Sequence, residues 1–461
     1  MTMNFKDKKI AILGLGVAGK AAAKWLNKKK AIIRLIDDGQ KGEFLGRSII
    51  SSKKVSDREL NTFDLIIVSP GIKPSHPIIQ RAQKNNLPVI GELYLAASIW
   101  KGPLIGITGT NGKTTTTLLT SHILSKIGVK NVFAGNISPP LFDLMDQNEN
   151  DVCAVLEISS FQLTYFPELN ISGIKKPRFR AAACLNIAPD HLDWHKDLKE
   201  YQEAKLKIFS FQDRGDFSVI GRGIETFGKN INGQKFFLKE LVSSIEYGIL
   251  TLKIFNNIEK YNLSKWLQIH KGEHNLDNLI SSIICARALS NKKEKIEKAF
   301  HEFALPKHRL EFVQKIREIS FIDDSKATNI HALKAAISAL KNNIILIAGG
   351  KGKGENFSEL IEFLSQPNGN KPIIKACIFI GEEAKNLYEL FKNKIANCFI
   401  IKGKDGTKVM EEAVRAAFEL AEKGDKVLLS PACASFDLYS NYKQRGEAFK
   451  RAVMQLKEKY E

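Results

Sequence analysis

The sequence predicts an α/β protein of three domains, two Rossmann-like units flanking a central P-loop-type unit. Apolar runs of about five residues alternate with helical stretches along the whole chain, as parallel sheets with crossover helices require. Two of those runs end in glycine-rich turns that open helices, at Gly14-Leu15-Gly16-Val17-Ala18-Gly19 and at Gly109-Thr110-Asn111-Gly112-Lys113-Thr114-Thr115. At 461 residues the chain is also too long for one ordinary core. The boundaries fall at residues 1–99, 100–305 and 306–461.

Composition narrows the class. Hydrophobic content of 44% and charged content of 26% are those of a globular protein. No run approaches the ~18 apolar residues of a membrane span, and Met1 to Lys9 lacks the apolar core of a signal peptide. Six cysteines are scattered without C-x-x-C spacing, so neither a zinc site nor a disulfide framework is expected, and a cytoplasmic location is. The net charge of +19 is spread over dispersed lysines without a basic tract. That is a solvated surface, suited also to an anionic small substrate, rather than a nucleic-acid interface.

The first unit opens with the strand Lys9-Ile10-Ala11-Ile12-Leu13, its glycine turn and a helix through Trp25. A second strand, Ala31 to Ile36, ends at Asp37-Asp38. Turn, helix and an acid about 20 positions on make a Rossmann-type fingerprint, the acid accepting from a ribose-like hydroxyl. A third strand, Asp64 to Val68, stops at Ser69-Pro70-Gly71. Open sheets bind ligands at such carboxyl ends, although a plain tight turn reads the same way.

In the central unit the run Leu104 to Thr108 leads into the second glycine turn and an amphipathic helix reaching about Ile127. Glycines let backbone N–H groups point inward, the helix N-terminus attracts anions, and Lys113 adds a mobile positive charge. The Thr114 hydroxyl is placed to reach magnesium. The strict G-x-x-x-x-G-K-[ST] pattern is not met, because Ile107 occupies its first glycine position. A nucleotide triphosphate site is the reading; a Gly/Thr-rich turn before a helix is the alternative. Asn136 follows a short strand, and Val152 to Leu156 is a buried-strand pattern ending at Glu157, ahead of Ile158-Ser159-Ser160-Phe161-Gln162. A carboxylate at that strand end is placed to hold magnesium. Strand Ala181 to Ile187 leads to Asp190-His191-Leu192-Asp193, a cluster for charge handling or a structural cap.

Lys205 breaks a pattern. Leu198, Tyr201, Lys205, Ile208 and Phe209 share one stripe of a helix running from about Leu198 to Phe209. A lysine there either snorkels from the edge of the apolar face or is a partly desolvated, reactive amine. Residues 215–270 alternate short strands with polar turns. His274-Asn275-Leu276-Asp277-Asn278 then opens a helix to about Leu289, with Asn275 and Asn278 on one face to hold a base or phosphate, or to cap.

Leu305-Pro306-Lys307-His308-Arg309 reads as a hinge into the third unit. Strand Ile319 to Ile322 meets Asp323-Asp324-Ser325-Lys326-Ala327-Thr328-Asn329 and a helix from Ile330 to Leu340. Strand Ile344 to Ala348 ends in Gly349-Gly350-Lys351-Gly352-Lys353-Gly354. Further strands run Ile373 to Ile380, Cys398 to Ile401 and Lys426 to Leu429, the last followed by Ser430-Pro431-Ala432-Cys433-Ala434-Ser435-Phe436-Asp437. This is again a parallel sheet with functional loops at one edge.

Taken together, Gly109 to Thr114, Glu157 with Ser159-Ser160, Asp190-His191-Leu192-Asp193, Lys205, His274-Asn275 and His308-Arg309 resemble the Mur ligase family of peptidoglycan precursor synthesis, in the family's order. Asp324 to Asn329 and Ser430 to Ser435 are similar to the members that add D-glutamate. The resemblance implies a UDP-substrate-binding first domain, a P-loop ATPase-type central domain and a mobile amino-acid-binding third domain. It implies that ATP phosphorylates the carboxylate of UDP-N-acetylmuramoyl-L-alanine and that the amine of D-glutamate attacks the acyl phosphate. Lys113, Glu157, His191 and Lys205 would be catalytic. Gly109, Thr110, Asn111, Gly112, Lys113, Thr114, Thr115, Asn275, Asn278, Arg309 and Asp324 would bind ATP. Gly14, Leu15, Gly16, Val17, Asp37, Ser69, Pro70, Gly71, Asn136 and Ser159 would bind the UDP-substrate. Lys326, Thr328, Lys353, Ser435 and Phe436 would bind D-glutamate. Two magnesium ions would sit on Thr114, Glu157, His191 and a carbamate formed on Lys205. A monomer acting on small molecules, without nucleic acid or membrane insertion, is implied, serving cell-wall biogenesis and hence cell shape and division.

Four departures from relatives stand out: Ala18 replaces a frequent threonine, no arginine lies near Gly39, Lys351 replaces an acid, and Lys175-Lys176-Pro177-Arg178-Phe179-Arg180 is a basic insert, expected to be a solvated loop. Three rival functions are weaker. A NAD-dependent oxidoreductase rests on Gly14, Gly16 and Gly19 alone, a nucleic-acid-binding ATPase on charge alone, and a folylpolyglutamate synthase-like ligase leaves the first unit unexplained.

Overall fold

The computed structural model describes residues 4–167, 171–192, 194–269, 272–304, 306–352, 357–364 and 373–460. Asp193, Leu305 and Lys353 therefore lie outside the described residues. Among the described residues the strands form three six-stranded sheets and one hairpin. In the first sheet are β1 (Lys9–Leu13), β2 (Ile32–Ile36), β3 (Glu43–Phe44), β4 (Arg47–Ile50), β5 (Leu65–Val68) and β6 (Val89–Gly91), in the order β3-β4-β2-β1-β5-β6. Its pairs are parallel except for the β3–β4 turn. The second contains β7 (Leu104–Thr108), β8 (Asn131–Gly135), β9 (Cys153–Glu157), β10 (Phe179–Asn186), β11 (Phe217–Arg222) and β12 (Gln234–Phe237), in the order β12-β11-β10-β7-β9-β8, all parallel. Then come the antiparallel hairpin β13 (Ile249–Ile254) and β14 (Asn257–Asn262). In the third sheet, β15 (Glu311–Ile316), β16 (Ile319–Asp323), β17 (Ile344–Gly349), β18 (Ile374–Ile380), β19 (Asn397–Ile400) and β20 (Lys426–Leu429) run in the order β15-β16-β20-β17-β18-β19. Only β15 is antiparallel to its neighbour. The strands read as near-continuous apolar runs because helices cover both faces of such sheets.

The chain divides into two compact units. The first comprises Met1–Ile187, Asp197–Ile269 and Asn275–Phe303, and the second Ala188–Lys196, His270–His274 and Ala304–Glu461. Asp190 and His191, which follow a central-unit strand in sequence, thus group with the third sheet. Within the first unit the two sheets share a hydrophobic cluster reaching from Ile10 and Leu35 through Leu93, Tyr94 and Trp100 to Leu156 and Phe179. The helix Glu92–Ile99 is the join. It is buried along nearly its whole length, which suits its lack of a polar face.

Two expectations need correction. The helix after the phosphate turn, Lys113–Lys126, is not amphipathic: Thr115, Thr116, Thr117 and Thr120 are buried along with Leu119 and Ile123. It packs between the sheet and the helix Lys293–His301, so it has little solvent face. The basic insert is not a solvated loop either. β10 begins at Phe179, inside it, and Arg178 donates from Nε (2.8 Å) and Nη2 (3.0 Å) to the carboxylate of Asp216, whose side chain is wholly buried. Arg180 lies 3.3 Å from the same carboxylate, and Lys176 sits 4.8 Å above the Phe211 ring. The insert neutralises a buried acid at the start of β11, as buried charges require.

Candidate active site

The phosphate turn is shaped by residues from three other elements. At the end of β10, Asn186 accepts the Thr110 N–H on its backbone oxygen (2.9 Å) and the Asn111 N–H on its side chain (2.9 Å). The Thr110 hydroxyl pairs with Tyr201 Oη at 3.0 Å. Gly112 caps the helix with φ of +85°, where a Cβ would lie 2.2 Å from Asn278 Oδ1. Only glycine fits that backbone and that contact. Asn278 also accepts the Thr116 hydroxyl at 3.1 Å and is nearly fully buried, so it braces the phosphate-loop helix from behind. Asn275 is buried on the same helix, Glu273–Arg287.

Lys113 folds back over its own loop, donating to the carbonyls of Gly109 (2.7 Å) and Thr110 (2.7 Å). Lys205 reaches the same Gly109 carbonyl at 2.9 Å and lies 4.6 Å from the Tyr201 ring centroid. It is 2% exposed, so it is not an edge lysine that snorkels. Its helix ends at Leu206, sooner than the periodicity predicts, and a tighter 3-10 turn carries Ile208 and Phe209 onward. Two lysines thus converge on one oxygen, an arrangement that suits a negative group between them.

Glu157 ends β9, in register with Ile107 of β7, and is nearly fully buried. Its Oε1 accepts from Asn136 Nδ2 at 2.8 Å, while Oε2 is buried without a hydrogen-bond partner among the described residues. A buried carboxylate oxygen left over is costly unless a cation completes it, so the residue fits a magnesium ligand. Ser159, two residues on, caps the next helix turn. Its N–H (3.0 Å) and hydroxyl (3.2 Å) both donate to Gln162 Oε1. Gln162 Nε2 in turn donates to Glu92 at 3.3 Å, and burial raises the Glu92 carboxyl to about 7, opposed by that hydrogen bond.

In the first sheet Gly14, Leu15, Gly16 and Val17 form the turn after β1, with Ser69, Pro70 and Gly71 beside it after β5. Ser69 donates its hydroxyl to the Gly14 carbonyl at 2.7 Å. Asp37, read as an acceptor for a ribose-type hydroxyl, also holds its own turn. Its carboxylate accepts the backbone N–H groups of Leu15 (2.7 Å), Gly39 (2.8 Å) and Gln40 (2.8 Å), holding the glycine turn. Val17 is 72% exposed at the head of the following helix.

In the second unit the loops after β16, β17 and β20 meet. Ala432 N–H donates to Ala327 O at 2.9 Å, and Lys351 and Ala434 exchange two backbone bonds of 2.9 Å. Lys326, Thr328, Ser435 and Phe436 are thereby brought together. Lys326 Nζ lies 4.2 Å from the Tyr442 ring centroid, and Phe436 projects outward. Beneath them is a residue that the sequence reading missed. Arg445, 1% exposed, donates to Ser325 Oγ (3.1 Å), Ser325 O (3.0 Å), Cys433 O (3.0 Å) and Ala434 O (3.1 Å). One guanidinium therefore pins both loops. An arginine at helical spacing in a charged C-terminal helix carries no signal that marks it as buried. Asp324 ends just past β16, accepting from Ser430 Oγ (2.9 Å) and Leu310 N–H (3.2 Å). Burial raises its carboxyl to about 7, and Arg309 opposes that rise. Asp190 accepts from Asn329 Nδ2 at 3.1 Å, and His191 follows it with φ of +57°. His308, Glu311 and Asp323 also cluster, but they are paired already: His308 Nδ1 is 2.6 Å from Asp323, and Glu311 accepts from Lys450 at 2.8 Å.

Comparison with known proteins agrees with this layout. Family models match residues 8–91 (Mur ligase MurD-like, N-terminal domain), 107–286 (Mur ligase middle domain) and 308–433 (Mur ligase, glutamate ligase domain). The UDP-N-acetylmuramoylalanine–D-glutamate ligase of Alkaliphilus metalliredigens is 34% identical over 99% of this chain and 100% of its own length. That of Nitrosospira multiformis is 35% identical over 98% and 96%. Among solved structures, a pseudomurein peptide ligase type C from Methanothermus fervidus superposes with a TM-score of 0.57 at 19% identity, covering 98% of this chain and 100% of that one. A UDP-N-acetylmuramate-alanine ligase from Thermotoga maritima gives 0.55 at 17% identity, covering 97% and 100%. At such identities the structures speak for the fold alone. No helix among the described residues is long and apolar enough to cross a membrane.

Proposed function

The chain belongs to the Mur ligase family, and from that premise we propose that it is the ATP-dependent ligase that joins D-glutamate to UDP-N-acetylmuramoyl-L-alanine in peptidoglycan synthesis. The observation that carries the reading is the convergence of Lys113 and Lys205 on Gly109 O beside the phosphate turn. That site is built to hold and transfer a phosphoryl group.

The residues divide the chemistry. Lys113 and the N–H groups of the phosphate turn neutralise charge developing on the transferred phosphoryl group. Lys113 then exchanges its two backbone carbonyls for phosphate oxygens, which its flexible stem allows. Thr114, Glu157, His191 and a carbamate on Lys205 would hold magnesium, which would supply neutralisation of the phosphate charge. Asn275, Arg309 and Asp324 serve ATP, and Asn278 serves it by bracing Gly112. In the first domain, residues 1–99, the turns after β1 and β5 take the UDP end of the substrate, with Asn136 and Ser159 of the central domain, residues 100–305, nearer its reacting end. In the third domain, residues 306–461, Lys326 offers a charge to a D-glutamate carboxylate, with Thr328, Lys353, Ser435 and Phe436 around it. The amine of D-glutamate attacks the acyl phosphate, phosphate leaves, and an amide forms. Location in the cytoplasm, action as a monomer and a part in cell division belong to the same proposal.

The deciding assay is phosphate release with UDP-N-acetylmuramoyl-L-alanine, ATP and magnesium, comparing D-glutamate, L-glutamate and meso-diaminopimelate. Release with D-glutamate alone is expected. Equal release with L-glutamate or diaminopimelate would overturn the assignment.

A further inference from the structure

Cys377 and Cys398 are 21 positions apart in sequence, yet β18 and β19 pair them directly, Cα against Cα. Both side chains pack into the same hydrophobic cluster, so both point to the same face of the sheet. We propose that these two residues are a redox-modification site, a thiol pair that a peroxide-class oxidant converts to a disulfide.

Three observations support it. Neighbouring strands lie about 4.8 Å apart, within the roughly 4.4–6.8 Å Cα separation that a disulfide spans. β19 is the outermost strand of its sheet and Cys398 is only half-buried, so a small oxidant reaches its sulfur. The Cys398 thiol donates to Ile395 O at 3.5 Å. The neighbouring Cys377 thiol holds the Cys398 thiol below its ordinary value, and burial holds Cys377 above. That is the division of labour of an attacking and a resolving cysteine.

The chemistry closes. The Cys398 thiolate attacks a peroxide oxygen: an S–O bond forms, the O–O bond breaks, and the leaving oxygen departs as water after taking a proton. The Cys377 sulfur then attacks the sulfenic sulfur. An S–S bond forms, the S–O bond breaks, and a second water leaves with the Cys377 proton. Two thiols lose two electrons and the peroxide gains them.

The protein contains its own control. Cys153 and Cys285 share another cluster, but both are wholly buried, and burial holds both thiols far above the ordinary value. The test treats the full chain with hydrogen peroxide, alkylates the remaining thiols under denaturing conditions, and maps linked peptides by mass spectrometry without reductant. A Cys377–Cys398 link, reversed by dithiothreitol, should form at least about tenfold faster than any other pair. Cys398→Ser should abolish it and leave Cys377 open to alkylation. Oxidation of Cys398 to sulfinic or sulfonic acid with Cys377 still alkylatable overturns the proposal. So does a Cys153–Cys285 link at a similar rate, or no oxidation of either thiol. The wild-type chain supplies these readouts, independently of the ligase reading.

Discussion

The side-chain nitrogens of Lys113 and Lys205 both donate to the carbonyl oxygen of Gly109, at 2.7 and 2.9 Å. Two ammonium groups sharing one acceptor repel each other by a few kcal/mol at the effective dielectric of a protein site. The strain is relieved in two ways, by an anion between them or by converting one amine into an anion. On the proposed reading, transfer of a phosphoryl group would use the first, and a carbamate on Lys205 would supply the second.

Removing the loop charge tests the first route. Lys113→Ala should lower turnover by at least ~10²-fold, the usual cost of deleting one preorganised electrostatic donor. Its side chain bonds to the carbonyls of its own loop, so the folded content by circular dichroism should not change. Near-normal phosphate release from the folded variant would refute the ATP-site assignment.

The second route is tested at Lys205. Lys205→Ala should be nearly inactive, and small carboxylic acids such as acetate should partly restore it by supplying an oxygen anion in the vacated space. Lys205→Arg should resist rescue, because its guanidinium fills the space and stays charged. Turnover of both variants across an acetate series at fixed ionic strength reads the outcome. Wild-type activity in the alanine variant would leave Lys205 no metal-ligand role.

Arg445 is expected to act on D-glutamate without touching it. Arg445→Lys keeps the charge but loses the fork that reaches Ser325, Cys433 and Ala434 together. The KM for D-glutamate should rise by about tenfold or more, with the KM for ATP little changed, as for loss of one to two kcal/mol of positioning. A parallel rise in both constants would point to general unfolding of the second unit instead.

Glu92 and Asp324 give stability a pH dependence of definite sign. Both carboxyls are raised to about 7 by burial, from 4.5 and 3.8. The folded protein therefore holds protons that the unfolded chain has released, and stability falls as pH rises from about 4 through 7. Glu92→Gln removes one of these groups. Compared with wild type, its melting temperature should be higher at about pH 8 than at about pH 5. A wild-type-minus-variant difference that is flat with pH would show that Glu92 stays charged in the fold.

The ion pairs of the basic insert should matter for folding rather than catalysis. Asp216→Ala removes the acceptor of Arg178 Nε and Nη2 and of the Asp213 N–H (2.7 Å), leaving Arg178 its 2.8 Å pair with Asp213, so a loss of about 1–3 kcal/mol is expected. Arg180→Ala should cost far less, because Arg178 still covers the carboxylate. Denaturant midpoints of the two variants check the order.

Much of this protein was determined by its sequence alone. Strands, turns and the helix after the phosphate turn are local matters, set by apolar runs, glycines with special backbone angles and caps within a few residues. So the alternation of strand and helix, the Gly112 turn, the strand-end carboxylate Glu157 and the anomalous Lys205 could all be found by reading along the chain. What Lys205 touches could not, because Gly109 is 96 positions away. Tertiary structure alone decided whatever depended on partners distant in sequence. Asp37 holds backbone N–H groups, Asn278 braces Gly112, the basic insert covers Asp216, Arg445 is buried under two loops, and Cys377 faces Cys398. In each case the residue type permitted two roles, solvated or engaged. The choice was made by the partners that folding brings together from distant parts of the chain, and at Asn278, Asp216 and Arg445 burial enforces it.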